Sequence, residues 1–397
     1  MTIRKLAFIS SEQILQLANL IAKQKGGAGQ QFVDTVTALN DAGKTAELSS
    51  YFAAETASLL LLAESESVMN LVIALLCGIS DTTQLDKALD LVLKGFSKVD
   101  PKQASTHLAI LSTMYNSLES TSYGRFKTYK TIVQVASAGD ELDAVVDTLT
   151  YLEDWISEWQ LTLVDRRALY LLLSVELGKS ESCLIQAQSC LLRYLNTYQG
   201  LTKEVNTESI NTLAVKALVQ AISIPEVLNF EDVLSLTAVQ ALGSTKIFEL
   251  AKIFLDQSLT KYKAFVTKNP KFVREQGLSQ DANIRKMRIL SLATLATEHL
   301  QGEVSYSTIS KALDVSEDDV EFWVIDAIRA GLVDAKINQL KQTILVSRAT
   351  QRVFGVPQWK LLQSRMLLWK NNLGECLQVI EKSKPQLTEA AAHITSA

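Results

Sequence analysis

The chain has 397 residues, of which 47% are apolar, 21% charged and 7% aromatic, with only 16 glycines and 5 prolines. This composition excludes a fibrous or disordered protein, and the length allows about two or three domains with a sizeable core. The 39 basic residues against 43 acidic ones give a net charge of -4, which supplies no general attraction to nucleic acid or anionic lipid.

Cysteine usage and hydropathy indicate where the protein works. The four cysteines are widely spaced: Cys77, Cys183, Cys190 and Cys376. They are too sparse for a disulfide-built secreted fold, so we expect a reducing compartment. The longest apolar runs, at 59–63 and 71–79, are far shorter than the roughly 20 residues that cross a bilayer, and the first residues lack a signal-peptide core.

Apolar residues follow helical spacing from the start of the chain to about residue 275. Two clear stripes are Leu85, Ala88, Leu89, Val92 and Phe96, and Leu142, Val145, Val146, Leu149, Leu152, Ile156 and Trp159. Turn residues begin a new helix about every 20 residues, so a helical pair repeats about every 40. This period predicts an α-solenoid, whose stacked pairs bury their apolar faces and leave surfaces suited to another protein.

The pattern changes after residue 282. A helix over 289–300 is followed by a short strand at 303–304 and a second short helix at 305–313. A third helix begins at Ser316, which is predicted to form a capping box with Asp319, and Gly331 is expected to end it.

A β-hairpin then follows, because 333–337 alternates apolar and polar residues, 338–342 is a polar turn and 343–347 is rich in β-branched residues. Helix, strand, helix, helix and hairpin is the order of a winged-helix domain. A final amphipathic helix comes next, and we expect the tail after Lys384 to be loosely ordered.

The predicted fold is therefore mostly α: an α-solenoid of helical repeats followed by a winged helix and a C-terminal helix. The predicted domains are 1–204 for the N-terminal repeats, 205–282 for the C-terminal repeats, 283–350 for the winged helix, and 351–397 for the C-terminal helix and tail.

Patterns typical of catalysis and cofactor binding are weak. His107, His299 and His393 lie far apart in the sequence, so we expect surface or helix-end positions instead of a metal site or triad. Cys183 and Cys190 lie seven residues apart on one predicted helix face, which favours structural cysteines. We expect no catalytic residue, metal or cofactor.

Two segments resemble the end of a phosphate-binding P-loop, at 43–45 and 178–180. The glycine required five positions before each is Ala38 in one case and Leu173 in the other, and neither segment follows a predicted strand. Helix junctions are the better interpretation.

Trp155 and Trp159 lie one helical turn apart. They are able to line a peptide groove, but an i, i+4 aromatic pair is more often part of the core between helical repeats.

The third helix of the winged helix is acidic, although in DNA-binding relatives this helix enters the major groove. Residues 316–330 contain one base, Arg329, and five acids: Glu317, Asp318, Asp319, Glu321 and Asp326. Phosphates would be repelled, which argues against duplex binding. Lys336 and Lys341 leave a weak RNA contact open as an alternative. The hairpin edge offers unpaired backbone groups to another sheet, which predicts lateral assembly.

This architecture resembles the PCI-domain family of proteasome-lid, signalosome and initiation-factor scaffold subunits. Particular stretches resemble the m subunits of the third eukaryotic translation initiation factor, and the likeness covers about residues 140 to 375. The stretches are 155–159 (WISEW), 286–290 (KMRIL), 319–329 (DVEFWVIDAIR), 354–355 (FG) and 369–373 (WKNNL).

The resemblance implies a non-catalytic subunit of a large cytoplasmic complex that helps to recruit the small ribosomal subunit and mRNA. It implies that the wing pairs with a sister subunit, with subunit a expected, and that the closing helix joins a bundle near subunits f and h; subunit c is a further candidate. No membrane and no small-molecule substrate are implied. The candidate contacts are Val333, Ala335, Ile337, Ile344 and Val346 in the wing, and Trp369, Leu373 and Leu377 in the closing helix.

Three alternatives remain open at this point: the equivalent subunit of the signalosome, a winged-helix DNA-binding regulator, and, as the weakest class, an enzyme. The edge-strand argument also predicts that replacing Ile337 or Ile344 by Asp releases the chain from its complex while the helical content stays near normal.

Overall fold

The computed structural model describes residues 10–25, 29–62, 64–96, 101–201, 207–300 and 302–395. They form two compact units: one holds the described residues up to Ile224 together with Leu236–Gly243, and the other holds Pro225–Ser235 and the described residues from Ser244. The mostly α fold predicted from the sequence is confirmed. The four-part domain division remains a prediction.

The first unit is built from helices alone in its described part. Its helices are α1 (Ser11–Lys25), α2 (Gly29–Asp41), α3 (Thr45–Ala54), α4 (Thr56–Leu59), α5 (Ser65–Cys77), α6 (Thr82–Phe96), α7 (Ala104–Ser117), α8 (Tyr123–Ala138), α9 (Asp143–Val146), α10 (Leu152–Glu158), α11 (Leu163–Leu177), α12 (Leu184–Asn196), α13 (Glu208–Ser223) and, from the separate segment, Thr237–Gln240.

Helices close in sequence pack on one another, as α6 does on α8 and α11 on α12. The apolar stripe predicted for α6 forms such contacts, since Ala88, Leu89, Val92 and Phe96 are buried and Leu85 is half-buried. The stripe predicted over 142–159 does not lie on one helix, because α9, a 3-10 turn over Asp147–Tyr151 and α10 divide it. Stacked helical pairs with buried stripes are the architecture expected of an α-solenoid.

The second unit combines further helices with one small sheet. The short helix Thr237–Gln240 of the first unit is α15 in chain order. The helices of the second unit are α14 (Glu231–Ser235), α16 (Lys246–Asp256), α17 (Leu259–Lys268), α18 (Pro270–Glu275), α19 (Gln280–Glu298), α20 (Tyr306–Leu313), α21 (Val320–Arg329) and α22 (Val356–Thr395). Its strands are β1 (Glu303–Ser305), β2 (Val333–Asn338) and β3 (Thr343–Ala349).

The three strands form an antiparallel sheet in the order β1, β3, β2. Ile344 of β3 lies opposite Val304 of β1 on one side and Ile337 of β2 on the other. Helices α19, α20 and α21 pack with this sheet around buried residues such as Ile309 and Val324. The predicted winged-helix order of elements is therefore confirmed.

The ends of the third helix show one confirmed and one wrong prediction. Gly331 has φ +72°, its N–H donates to the Ile328 carbonyl, and the N–H of Leu332 donates to the Ala327 carbonyl, which is a Schellman cap as expected. The capping box at Ser316 does not form: its hydroxyl donates to the Asp319 carboxylate at 2.6 Å instead of accepting a backbone N–H. A short 3-10 turn over Glu317–Asp319 precedes α21 and changes the geometry that a capping box needs.

In the tail after Lys384, for which the sequence indicated no regular element, α22 continues as one helix to Thr395. The alanines at 390–392 have the highest intrinsic preference for helix, which favours this continuation.

Candidate assembly surfaces

The C-terminal helix α22 presents an apolar surface to solvent. From Trp359 to Glu381 every residue is exposed except Gly374, which is half-buried. The large apolar residues exposed on α22 are Val356, Trp359, Leu361, Leu362, Met366, Leu367, Leu368, Trp369, Leu373, Leu377, Val379 and Ile380. A helix with this much exposed apolar surface is typical of a protein contact.

One stripe of α22 has the spacing of a coiled-coil seam. Its members alternate at intervals of three and four residues: Trp359, Leu362, Met366, Trp369, Leu373, Cys376 and Ile380. The residues that lie opposite this seam in the heptad are all polar: Ser364, Asn371 and Gln378. We name the stripe the α22 seam; its pattern is that of helices that pack along their length against other helices.

The predicted contacts of the closing helix lie in or beside this seam. Trp369 and Leu373 belong to the α22 seam and are 73% and 59% exposed, while Leu377 flanks it and is 59% exposed. Sequence reasoning missed Trp359, Cys376 and Ile380, although the regular three-and-four spacing in the sequence was sufficient to find them. Further exposed leucines, such as Leu361 and Leu368, lie toward the far side of the helix, so the apolar surface of α22 extends beyond what one partner helix covers.

In the wing, most of the predicted contact residues are buried in the core and not exposed on the surface. Val333, Ile344 and Val346 are 3%, 1% and 0% exposed and belong to the core between the sheet and its helices. Ala335 is half-buried and packs against the same core, and only Ile337 is exposed, at 36%.

The alternation of side chains along β2 and β3 explains why these predicted contact residues are buried. Side chains of a strand alternate between its two faces, and helices α19 and α21 cover the face that carries Ile344 and Val333. The side chains of Val333, Ile344 and Val346 are therefore not free to contact a partner. The expectation that Ile344→Asp leaves the fold near normal must be withdrawn.

The edge of the sheet remains open to another strand. β3 is the central strand and is paired on both sides, so a further strand must add beside β2 or beside the three-residue β1. β2 is the longer edge, with six residues. Leu340 in the adjoining turn is 100% exposed, and Leu345 on the solvent face is 40% exposed. The backbone of β2 with these apolar side chains is the part of the wing that suits lateral pairing.

The third helix of the winged helix carries little that reads DNA. Asp326 is 8% exposed and is paired with Arg285, and Glu321 accepts a hydrogen bond from the Tyr306 hydroxyl at 2.9 Å. The outward side chains in the middle of the helix are Phe322 and Ile325, at 58% and 43% exposure. The acids Glu317, Asp318 and Asp319 are exposed at its start. An acidic and apolar surface of this kind does not suit phosphates.

One tryptophan of the pair in the first unit, Trp159, belongs to the core, and Trp155 packs beside it. Trp159 is 2% exposed, and its ring centroid lies 5.9 Å from that of Tyr129 and 6.3 Å from that of Phe126. Trp155 packs near the same group, with its ring tilted toward Tyr115 and the ring centroids 5.5 Å apart, but it is half-buried. The core interpretation is confirmed for Trp159.

Other sequence candidates also have structural positions. His107 lies in the first turn of α7, as the helix-end expectation has it, but it is 2% exposed and not at the surface. Its ring packs edge-on against Phe96, and burial lowers its pKa. His299 lies exposed at the end of α19 as expected, and the side chain of His393 lies outside the described residues. Cys183 and Cys190 are buried, which confirms their structural interpretation.

The P-loop-like segments are helix junctions as predicted: 43–45 joins α2 to α3, and Gly178 follows α11. Within the described ranges, no cluster of three or more His, Cys, Asp or Glu side chains is arranged to hold a metal ion. None of the helices in the described part of the chain is both long enough and apolar enough to span a bilayer.

Comparison with known proteins finds two family matches within the second unit. The PCI domain family matches residues 266–348, and the family described as "eIF3 subunit M, C-terminal helix" matches residues 352–380. The chain is similar to eukaryotic translation initiation factor 3 subunit M of Dictyostelium discoideum, with 33% identity over 80% of the chain and 79% of the relative.

Two further relatives with the same description agree. The Phaeosphaeria nodorum protein is 37% identical over 71% of this chain and 64% of its own length. The Nematostella vectensis protein is 29% identical over 82% of this chain and 85% of its own length.

Proposed function

Because the chain belongs to the family of eukaryotic translation initiation factor 3 subunit M, we propose that it is a non-catalytic scaffold that holds other subunits of this factor together. In this role it supports recruitment of the small ribosomal subunit and mRNA indirectly, through the assembled factor. Its place of action is the cytoplasm.

The observation that carries the proposal is the α22 seam. Seven residues at heptad spacing lie in solvent on this helix, and the heptad position directly opposite them is polar, at Ser364, Asn371 and Gln378. Burying a side chain of this size stabilises a contact by roughly 1.5 to 3 kcal/mol, so the seam has enough apolar surface to anchor the chain in a helical bundle.

The partners that we propose are sibling subunits of the same factor. The β2 edge meets the sheet of a neighbouring PCI subunit, subunit a in the first instance, by adding strands side by side. The α22 seam meets helices of subunits f and h, and subunit c is a further neighbour. Two separate surfaces on one chain suit a scaffold, because each holds a different partner.

The signalosome alternative is not favoured. A PCI domain alone is common to both kinds of complex, but the match at 352–380 is to the C-terminal helix of subunit M itself. That helix is the element on which the proposed contact depends.

The test is reconstitution of the complex from the full-length chain and subunits a, c, f and h. The chain with both Trp369→Asp and Leu373→Asp is compared with a matched control that carries Asn371→Asp and Gln378→Asp on the polar side of α22. All four positions are exposed, so neither double variant is expected to change the melting temperature of the chain alone.

We expect the seam variant to lose its place in the complex, because two carboxylates cannot be buried in an apolar interface, and the control to assemble like the wild type. Normal assembly of the seam variant, or the absence of any complex with the wild-type chain, would contradict the proposal.

A further inference from the structure

The segment between the winged helix and α22 is bound tightly to the rest of the second unit. Residues 350–355 join β3 to α22. At their start the N–H of Thr350 donates to the Leu332 carbonyl at 2.8 Å, and near their end the N–H of Phe354 donates to the Glu231 carboxylate at 3.3 Å. The segment therefore does not have the free backbone of a flexible linker.

Arg352 makes the most extensive contact in this segment. Its guanidinium donates to the carbonyls of Phe254 at 2.6 Å, Gln257 at 3.1 Å and Ile253 at 3.4 Å, and to the Thr294 hydroxyl at 3.3 Å. The three carbonyls belong to the C-terminal end of α16, 95 to 99 residues earlier in the sequence.

The position of Arg352 satisfies two physical needs of α16. The last carbonyls of a helix have no partner within the helix, and that end carries the negative part of the helix dipole. A guanidinium supplies both the hydrogen-bond donors and the positive charge. Burial lowers the pKa of Arg352 to about 10, which leaves it charged at neutral pH.

The first turn of α22 is fixed as well. The N–H of Gly355 donates to the side-chain oxygen of Gln358 at 3.1 Å, which is one half of a capping box. The rings of Phe354 and Trp359 pack edge-to-face with centroids 4.9 Å apart. Beyond this turn the side chains described on α22, from Trp359 to Glu381, are exposed apart from Gly374, so the segment and this first turn supply the described contacts between the helix and its own unit.

We propose that Arg352 is a positioning residue, which fixes the direction in which α22 leaves the PCI module by clamping the preceding segment to the end of α16. This inference rests on the proposed function, because a fixed direction lets the β2 edge and the α22 seam engage their partners at the same time. Two surfaces held at a suitable geometry raise the effective concentration of the second contact once the first has formed.

The direction of α22 is measured on the isolated full-length chain by the distance between two spin labels. One label is attached to Cys376, which is exposed on α22, and the other to Lys311→Cys on the exposed side of α20, in a Cys77→Ser background; Cys183 and Cys190 are buried. We expect one narrow distance distribution for the otherwise wild-type chain, a broad one for Arg352→Met and an intermediate one for Arg352→Lys.

Two further chains keep this measurement decisive. Arg365→Met removes an exposed arginine of α22 and is expected to leave the distribution narrow. Two glycines inserted between Phe354 and Gly355 leave the Arg352 contacts in place and are expected to broaden it, even if Arg352→Met fails to fold. A broad distribution in the chain with native Arg352, or a narrow and unshifted one in Arg352→Lys and in the insertion chain, would overturn the proposal.

The effect on assembly is measured as a double-mutant cycle with Ile337→Asp on β2. We expect Arg352→Met to weaken binding to the reconstituted partner subunits roughly tenfold or more when the wing is intact, and much less when Ile337→Asp has already removed the wing contact. Equal losses in both backgrounds would mean that Arg352 does not couple the two surfaces. If the wild-type chain forms no complex, the proposed function fails, but the spin-label distances still decide whether Arg352 sets the direction of α22.

Discussion

The guanidinium of Arg285 binds both carboxylate oxygens of Asp326, through Nε at 2.8 Å and Nη2 at 2.7 Å. This pair joins α19 to α21, and Asp326 is 8% exposed. One of the five acids of the third helix therefore serves the internal structure of the winged helix, because its charge is matched by a base from a neighbouring helix.

We expect Arg285→Ala to lower the free energy of unfolding by roughly 2 to 3 kcal/mol, because it leaves the Asp326 carboxylate almost buried without its partner. Urea denaturation followed by circular dichroism measures this change. Replacing both residues by Leu is expected to recover most of the loss, since no charge then remains unpaired. An Arg285→Ala chain as stable as the wild type would show that the pair contributes little.

The buried amine of Lys286 is expected to make the free energy of unfolding depend on pH. It is 3% exposed and lies over the ring of Phe230, and burial lowers its pKa to about 7, with Glu226 opposing the shift. In the unfolded chain the amine keeps its ordinary pKa, so between the two values the unfolded state binds more protons than the folded state. Stability must therefore rise with pH across that window.

The measurement is the free energy of unfolding from about pH 7.5 to 9.5, where Lys286 contributes most clearly. We expect Lys286→Met to remove a rise on the order of a few kcal/mol. The difference between the two chains is the relevant quantity, since tyrosines and cysteines that titrate in the same range cancel. Parallel curves for the two chains would show that Lys286 does not keep a lowered pKa.

The two isoleucines of the hairpin should respond differently to the same substitution. Ile344 is 1% exposed, so Ile344→Asp is expected to lower the free energy of unfolding by roughly 4 kcal/mol or more. Ile337 is 36% exposed, so Ile337→Asp is expected to cost about 1 kcal/mol or less. Thermal unfolding of both chains makes the comparison.

The assembly of the Ile337→Asp chain then tests the β2 edge, because its fold remains intact. We expect reduced binding to the PCI neighbour while the contact through the α22 seam persists. Full binding would mean that the lateral contact lies elsewhere on the winged helix.

The winged helix is expected not to bind duplex DNA with submicromolar affinity at low salt, because acids precede α21 and Phe322 and Ile325 face outward. Fluorescence anisotropy with a short labelled duplex measures this. A chain with Glu317→Lys, Asp318→Lys and Asp319→Lys serves as the comparison and should gain weak, salt-sensitive binding. Tight binding by the wild-type chain that weakens steeply with salt would contradict the expectation.

The parts of the fold that depend on local pattern were predictable from the sequence. The stripe through Ala88 and Val92 predicted its helix because residues three and four apart share a face, and Gly331 predicted the end of α21 because its backbone adopts a positive φ. The winged-helix order followed from these local elements.

The parts that depend on contacts between distant residues were not predictable in this way. Ile337 and Ile344 are the same residue type and lie opposite each other on β2 and β3. Ile344 is the more deeply buried because α19 and α21 pack against the sheet. The contacts of Arg352 with α16 and of Arg285 with Asp326 likewise join segments that no spacing rule relates. On the candidate surfaces, the heptad of α22 was visible in the sequence, whereas the burial of Val333 and Val346 was not.

The exposed α22 seam has a consequence for a newly synthesised chain that has not yet joined a complex. Until partner subunits cover it, a tryptophan such as Trp369 remains exposed to water, and such a surface favours aggregation with other unassembled chains. Surplus copies would then be removed by chaperones and proteases. The cellular abundance of this protein should accordingly follow the abundance of its partner subunits more closely than the level of its own mRNA.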